Sequence, residues 1–306
     1  MIKIPHSVKR LLRLPTMTLI ETANKITRKH FSQGDFELCS IMNAKSGACS
    51  EDCAFCAQSA HYNTNIETYP LISIEKMLSN AKQALDNGAK RIGIVTSGRN
   101  LTDEDIETIA KGIRKIKNTY PIEPCCSLGS LSENQFKSLK SAGLTRFHHN
   151  LETSENFYAN IVSTHKYEER LKTVNIAKKM GFEVCSGGII GLGESMEDRL
   201  AMALELKKLK VDAVPINILI PIPGTPMENN PELSIDEILR TIALYRIILQ
   251  NKIIKIAAGR EHKLKDFQGL AFLAGANGML IGGYLTVNGR SVEEDLQMLK
   301  QLKLIS

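Results

Sequence analysis

What this chain of 306 residues lacks narrows its function first. No stretch of about 18 apolar residues occurs, which argues against a membrane-spanning helix. The opening residues Met1-Ile2-Lys3-Ile4-Pro5 do not form the long apolar run of a secretory signal. Basic residues exceed acidic ones only mildly, 39 against 33, so nucleic acid is not expected as a partner. Internal repeats and low-complexity tracts are missing. The cysteines number seven, so a purely paired disulfide framework would leave one thiol over. With 43% hydrophobic and 24% charged residues, the composition is that of a folded globular protein rather than a disordered one. The expected compartment is a reducing cytoplasm, where clustered cysteines bind metal or do chemistry more often than they pair.

What is present is an alternation of short apolar runs with helical patterns. Strands are predicted at 38–42, 91–96, 122–127, 146–150, 183–187, 213–219, 253–257 and 278–281. Helices are predicted at 73–87, 102–117, 132–142, 167–180, 196–208, 235–249, 266–274 and 292–301. Polar starts such as Ser73 and Thr102, and glycine stops at Gly88, Gly143 and Gly181, punctuate them. Eight strand–helix units predict an α/β fold of the (β/α)8 TIM-barrel type, with a doubly wound open sheet as the competing arrangement. Residues 1–35 are expected to form a helical extension, in which Lys9, Arg10 and Arg13 interleave with Leu11, Leu12 and Leu14. The barrel is expected over 36–306, with the stiff loop 221–226 on its catalytic rim.

The chemistry-bearing motif is Cys49-Ser50-Glu51-Asp52-Cys53-Ala54-Phe55-Cys56, a C-x3-C-x2-C spacing directly after the first predicted strand. Three thiolates on one loop wrap a single metal centre. A structural zinc site needs a fourth ligand nearby, for which His61 is the nearest candidate. A cubane iron–sulfur cluster held by three cysteines keeps one iron open for an exogenous ligand, which makes the cluster catalytic. The iron–sulfur reading is preferred over zinc and over incidental thiols.

This spacing resembles the radical S-adenosylmethionine superfamily. Within it, the wording of 43–59 resembles the biotin synthase family, as do His149-Asn150-Leu151-Glu152-Thr153-Ser154, the stretch 185–194, Val214-Pro215-Ile216-Asn217 and Ala258-Gly259-Arg260-Glu261. The matches are collinear from about residue 35 onward. The resemblance implies a homodimeric barrel enzyme that inserts sulfur at carbons 6 and 9 of dethiobiotin. It implies 5′-deoxyadenosyl radicals made from S-adenosylmethionine, and an electron donor such as flavodoxin or ferredoxin. A first 4Fe–4S cluster would lie on Cys49, Cys53 and Cys56. An auxiliary cluster, 2Fe–2S in the family, would be held by cysteines and one arginine and would donate the sulfur.

Carried over residue by residue, Phe55 is implied near the adenine and Glu152 at the ribose. Arg170 is implied at the S-adenosylmethionine carboxylate, which its guanidinium fork suits; the alternative is a surface ion pair with Glu168 or Glu169. Asn150 and Asn217 are implied at the substrate's ureido ring, with strand-end capping as the alternative. Cys125, Cys185 and Arg260 match the auxiliary ligands, an ion pair with Glu123 or Glu261 being the alternative for Arg260. Lys45 is a weaker substrate-binding candidate.

One departure matters most. Where the family has a cysteine on the second strand, this chain has Gly93. Cys39, on the neighbouring first strand, and Cys126 are the two candidates to replace it. Successive strand residues face opposite sides, so Cys125 and Cys126 cannot both enter the lumen without a bulge, which favours Cys39. The auxiliary cluster could accordingly differ in nuclearity, for example a four-iron cluster carrying an extra transferable sulfide. His148 stands where the family often has asparagine, and shares a strand face with Asn150. It is expected either to contact substrate or to pack against the auxiliary cluster. Competing readings are another radical enzyme of this barrel type, such as a maturase or lyase, and a non-enzymatic iron–sulfur protein.

Overall fold

The computed structural model describes residues 2–32, 34–283 and 290–305. Period-2 patterning builds its sheet. In Arg91–Thr96, Ile92 and Ile94 are buried outward against helices, while Arg91, Gly93 and Val95 turn to the lumen. Nine strands form in chain order: β1 (Glu37–Lys45), β2 (Arg91–Thr96), β3 (Glu123–Ser127), β4 (Arg146–His148), β5 (Glu183–Cys185), β6 (Gly188–Ile190), β7 (Ala213–Ile218), β8 (Ile253–Ile256) and β9 (Gly278–Leu280). All named pairings are parallel, in the order β5-β4-β3-β2-β1-β9-β8-β7-β6, and pairing of β5 with β7 closes the ring.

The expected eight-strand barrel is therefore present, with the fifth position split into β5 and β6. Close backbone approach explains the split. A Cβ on Gly187 would lie 1.9 Å from the Pro215 carbonyl oxygen, and one on Gly188 would lie 2.3 Å from that of Glu152. Both positions must be glycine, and the chain steps inward there.

Helices wrap the barrel, and side-chain caps start them. Ser73, Thr102, Ser132, Ser195, Ser234 and Ser291 each accept a hydrogen bond from the first turn, each cap worth about 1 kcal/mol. Two helices, His6–Leu11 and Thr16–His30, precede β1. The second buries Leu19, Ile20 and Ala23, and Arg240 fastens its approach by donating to the carbonyls of Leu12 at 2.9 Å and Leu14 at 2.8 Å. No helix among the described residues is long and apolar enough to cross a membrane.

Candidate active site

The cysteine loop follows β1, at the carboxyl ends of the strands where barrel active sites lie. Its shape is set by backbone bonds. Cys49 N donates to the Gln58 carbonyl at 3.0 Å, Ala60 N to Cys49 at 2.8 Å, and Ala54 N to Ile161 at 2.9 Å. Its acidic residues stake it to the loop before helix Tyr167–Lys179. Asp52 accepts from Ser163 N at 3.0 Å, Thr164 N at 3.1 Å and the hydroxyls of both residues. These bonds outweigh desolvation and hold the Asp52 carboxyl well below its usual range. Glu51 accepts from Thr164 Oγ1 at 2.8 Å and lies 2.5 Å from His165 Nδ1.

A cavity of about 280 Å³ runs from this loop down the barrel. Cys49, Cys53 and Cys56 line its mouth, while Cys39, Cys125, Cys185 and Lys255 line its lower part. A second pocket of about 160 Å³ opens beside the mouth, lined by Phe55, Cys56, Glu152, Asn150, Asn217 and Ala258 among others. Burial pushes the thiols up, Cys56 to about 11 and Cys125 to about 12. A coordinated metal would reverse this by stabilising the thiolates. Among the described residues, no three Cys, His, Asp or Glu side chains converge tightly enough for one metal ion. His61 Nε2 is turned to the Ser50 carbonyl at 3.0 Å and does not line the cavity.

Arg170 turns inward rather than to a surface pair. Its Nε donates to Tyr158 Oη at 2.7 Å and its Nη1 to the Asn150 carbonyl at 3.0 Å, with Glu152 Oε1 at 3.4 Å. Glu169 pairs with Arg99 instead, at 2.5 Å. Glu152 adopts a left-handed φ of 69°, a strain that non-glycine residues accept mainly at functional sites. Its backbone bridges to Gly188, and its carboxylate accepts from Asn150 Nδ2 at 3.3 Å. The amides of Asn150 and Asn217 are already engaged. Asn150 Oδ1 accepts from Gly187 N at 3.1 Å. Asn217 donates to the Gly188 carbonyl at 3.1 Å and accepts from Ala258 N at 3.2 Å. Both thus brace the rim, and each keeps one further donor and acceptor for a ligand. His148 lines the cavity in register with Cys185, and burial lowers it to about 4, so its imidazole is neutral near pH 7.

Three expectations about placement are corrected. Arg260 is not with the cysteines. It lies outside the lumen lining, fully buried, paired with Asp295, Gln268 and, at 2.9 Å, Glu261. Lys45 leans away from the cavity to Asp105 Oδ2, 3.5 Å away. Cys126 borders the wall, but its side chain is wholly buried in the apolar core, on the other side of β3 from Cys125. The alternation along β3 carries no bulge, because Gly93 and Ile94 pair in step with Cys125 and Cys126.

The structure adds a floor that sequence reasoning missed. Glu37 sits below Cys39 and takes Lys255 Nζ at 2.5 Å, Arg146 Nη1 at 2.6 Å and Arg91 Nε at 3.2 Å. Glu183 takes Arg146 Nε at 2.9 Å and Arg91 Nη2 at 3.2 Å. Lys255 Nζ also donates to Cys39 Sγ at 3.0 Å. Burial raises the Glu37 carboxyl, but Lys255 and Arg146 outweigh it and hold the group well below its usual range. The available signal was a lone lysine inside the apolar strand Ile253-Ile254-Lys255-Ile256, because an unpaired lysine is almost never buried.

A Radical SAM superfamily model matches residues 44–206, and a Biotin and Thiamin Synthesis associated domain matches 215–305. Barrel and three-cysteine rim together define a radical S-adenosylmethionine enzyme. Solved structures share the fold: methylornithine synthase at TM-score 0.83, 18% identity, covering 97% of this chain and 92% of that one. An FeFe-hydrogenase maturase from Carboxydothermus hydrogenoformans follows at 0.81 and 18%, covering 94% and 71%. The relatives are more specific. Biotin synthase of Thermotoga neapolitana is 56% identical over 268 residues, 87% of this chain and 96% of the relative. That of Thermotoga petrophila is 51% identical over 297 residues, 97% and 98%. That of Clostridium acetobutylicum is 52% identical over 288 residues, 94% and 88%. The chain belongs to the biotin synthase family. It is a radical enzyme that inserts sulfur into dethiobiotin, using S-adenosylmethionine, a 4Fe–4S cluster, an auxiliary iron–sulfur cluster and a redox partner.

Proposed function

We propose that the two sets of cysteines divide the reaction between mouth and floor. Cys49, Cys53 and Cys56 hold the 4Fe–4S cluster. Cys39, Cys125 and Cys185 hold the auxiliary cluster, and Lys255 supports it from outside as a hydrogen-bond donor to Cys39. When bound, these groups supply the reductive cleavage of S-adenosylmethionine and the sulfur for insertion. The observation that carries the reading is the shared lining of the lower cavity by Cys39, Cys125, Cys185 and Lys255, none of which depends on Gly93.

The residues fit such a group chemically. Three cations, Arg91, Arg146 and Lys255, face two carboxylates, Glu37 and Glu183, beneath the thiols. The surplus positive charge offsets the thiolates that ligation requires. Lys255, fixed by Glu37, presents an N–H to Cys39. At the mouth, Arg170 offers its fork to the S-adenosylmethionine carboxylate, and Glu152 offers its carboxylate to the ribose hydroxyls. Phe55 walls the side pocket for the adenine. Asn150, Asn217 and His148 face dethiobiotin between the two sets. The His148 side chain, which makes no hydrogen bond among the described residues, keeps both ring nitrogens for that substrate.

We also propose flavodoxin or ferredoxin as the electron donor, a homodimer as the assembly, and a reducing cytoplasm as the compartment. Support for the compartment is that all seven cysteines are free. The test is anaerobic incubation with S-adenosylmethionine, reductant and dethiobiotin. Appearance of 5′-deoxyadenosine and biotin that depends on dethiobiotin is the expected result. Iron content that never exceeds one four-iron cluster would contradict the two-set reading.

A further inference from the structure

The floor network has an outer end. Along it, side-chain exposure climbs from Arg146 at 4% and Lys255 at 6%, through Glu37 at 11% and Arg91 at 16%, to Glu183 at 46%. A file of polar groups therefore connects the lower cavity to solvent on the face opposite the mouth. Within it, Arg91 Nη1 is buried and has no hydrogen-bond partner among the described residues. Leaving a buried charged N–H unpaired is costly, so the position is suited to an anion. Arg91 also lines the cavity and stands in register with Cys39.

We propose that this floor is a port for hydrosulfide, which docks on Arg91 and reaches the auxiliary site from below while S-adenosylmethionine and dethiobiotin cover the mouth. The proposal rests on the auxiliary-site reading above. Hydrosulfide crosses as the monoanion, and no bond is made or broken in the passage. The chemistry needs such a route, because an auxiliary cluster that donates its sulfur must be rebuilt, and the bound substrates occupy the other way in.

The test uses the full chain with its mouth cluster in place and its auxiliary site emptied. S-adenosylmethionine and dethiobiotin are bound, without the reductant that would start turnover. Ferrous and ferric iron in equal amounts are loaded before these two are bound, so that only sulfide must enter afterwards; sodium sulfide is varied, and rebuilding is followed by visible absorbance and iron-57 Mössbauer spectra. Rebuilding is expected at the same rate with the mouth covered or open. It should slow as salt rises from about 0.01 M to about 0.15 M, as for attraction of an anion to exposed cations. Arg91→Met should slow it about tenfold, the equivalent of one hydrogen bond to a charged group. Arg91→Lys should recover most of the rate. Glu183→Gln removes the carboxylate that repels an anion at the outer end and should speed it, and this variant decides the matter should Arg91→Met not fold. Rebuilding only with the mouth open, or a wild-type rate in a folded Arg91→Met chain, overturns the port alone. Iron that never exceeds the mouth cluster, covered or open, overturns the two-set reading and the port together.

Discussion

The mouth and the floor of this barrel are built in opposite ways. At the mouth, three cysteines come from one loop, and Glu51 and Asp52 of the same loop tie it to residues 163–165. On the floor, the cysteines come from β1, β3 and β5 and the lysine from β8. A contiguous loop places its ligands by local turns, so it must be kept whole. A site assembled from separate strands can exchange one wall for another without disturbing the rest. Gly93 is in register with Ile41 of β1 and Cys125 of β3, and the neighbouring Cys39 reaches the same lumen. In the proposed reading, a thiol on an adjacent strand stands in for the family's usual cysteine, in the same space.

The sharpest way to separate the two regions is to break each in turn. Cys53→Ala is expected to abolish S-adenosylmethionine cleavage, by at least about 1,000-fold, because the chemistry requires the group. Assay of 5′-deoxyadenosine checks it. Cys185→Ala should leave cleavage measurable but stop biotin formation and reduce iron to the mouth cluster. Biotin made by that variant would return Cys185 to a packing role. Lys255→Met should lower biotin yield by about 10- to 100-fold, as loss of an outer-shell partner does, while 5′-deoxyadenosine continues to form. Arg260→Met acts on stability instead. It strands buried Asp295 without its cation, which costs about 3–5 kcal/mol in urea unfolding, and folded protein should keep its full iron. The smallest effect belongs to Cys126→Ala, about 1 kcal/mol of lost packing with iron unchanged.

The floor also carries an acid dependence. Glu37 has a depressed carboxyl, so its ion pairs stabilise the fold fully above the ordinary carboxylate value of about 4 and lose that contribution as pH falls below it. Urea midpoints of Glu37→Gln should therefore fall less than wild type between neutral pH and acid.

Much of this was legible in the sequence, and the misses have physical causes. The barrel followed from strand and helix periods, because local patterns suffice when each unit repeats. The division of Cys125 from Cys126 followed from strand alternation, and the structure places them on opposite faces. Arg260 was misplaced because proximity to β8 in sequence does not say whether a side chain enters the lumen. It begins helix Arg260–Leu264, after the left-handed turn at Gly259, and points into the helical layer. Lys255, five residues earlier, lies on the strand itself and faces inward. The floor ion pairs join residues 37, 91, 146, 183 and 255, separations that no local pattern encodes.

The central claim is that Cys39 replaces the ligand missing at Gly93. Iron-57 Mössbauer quantification of anaerobically reconstituted Cys39→Ala chain tests it most directly. The account predicts a mouth cluster at wild-type occupancy and loss of the auxiliary signal. Two clusters at wild-type occupancy in Cys39→Ala would contradict it.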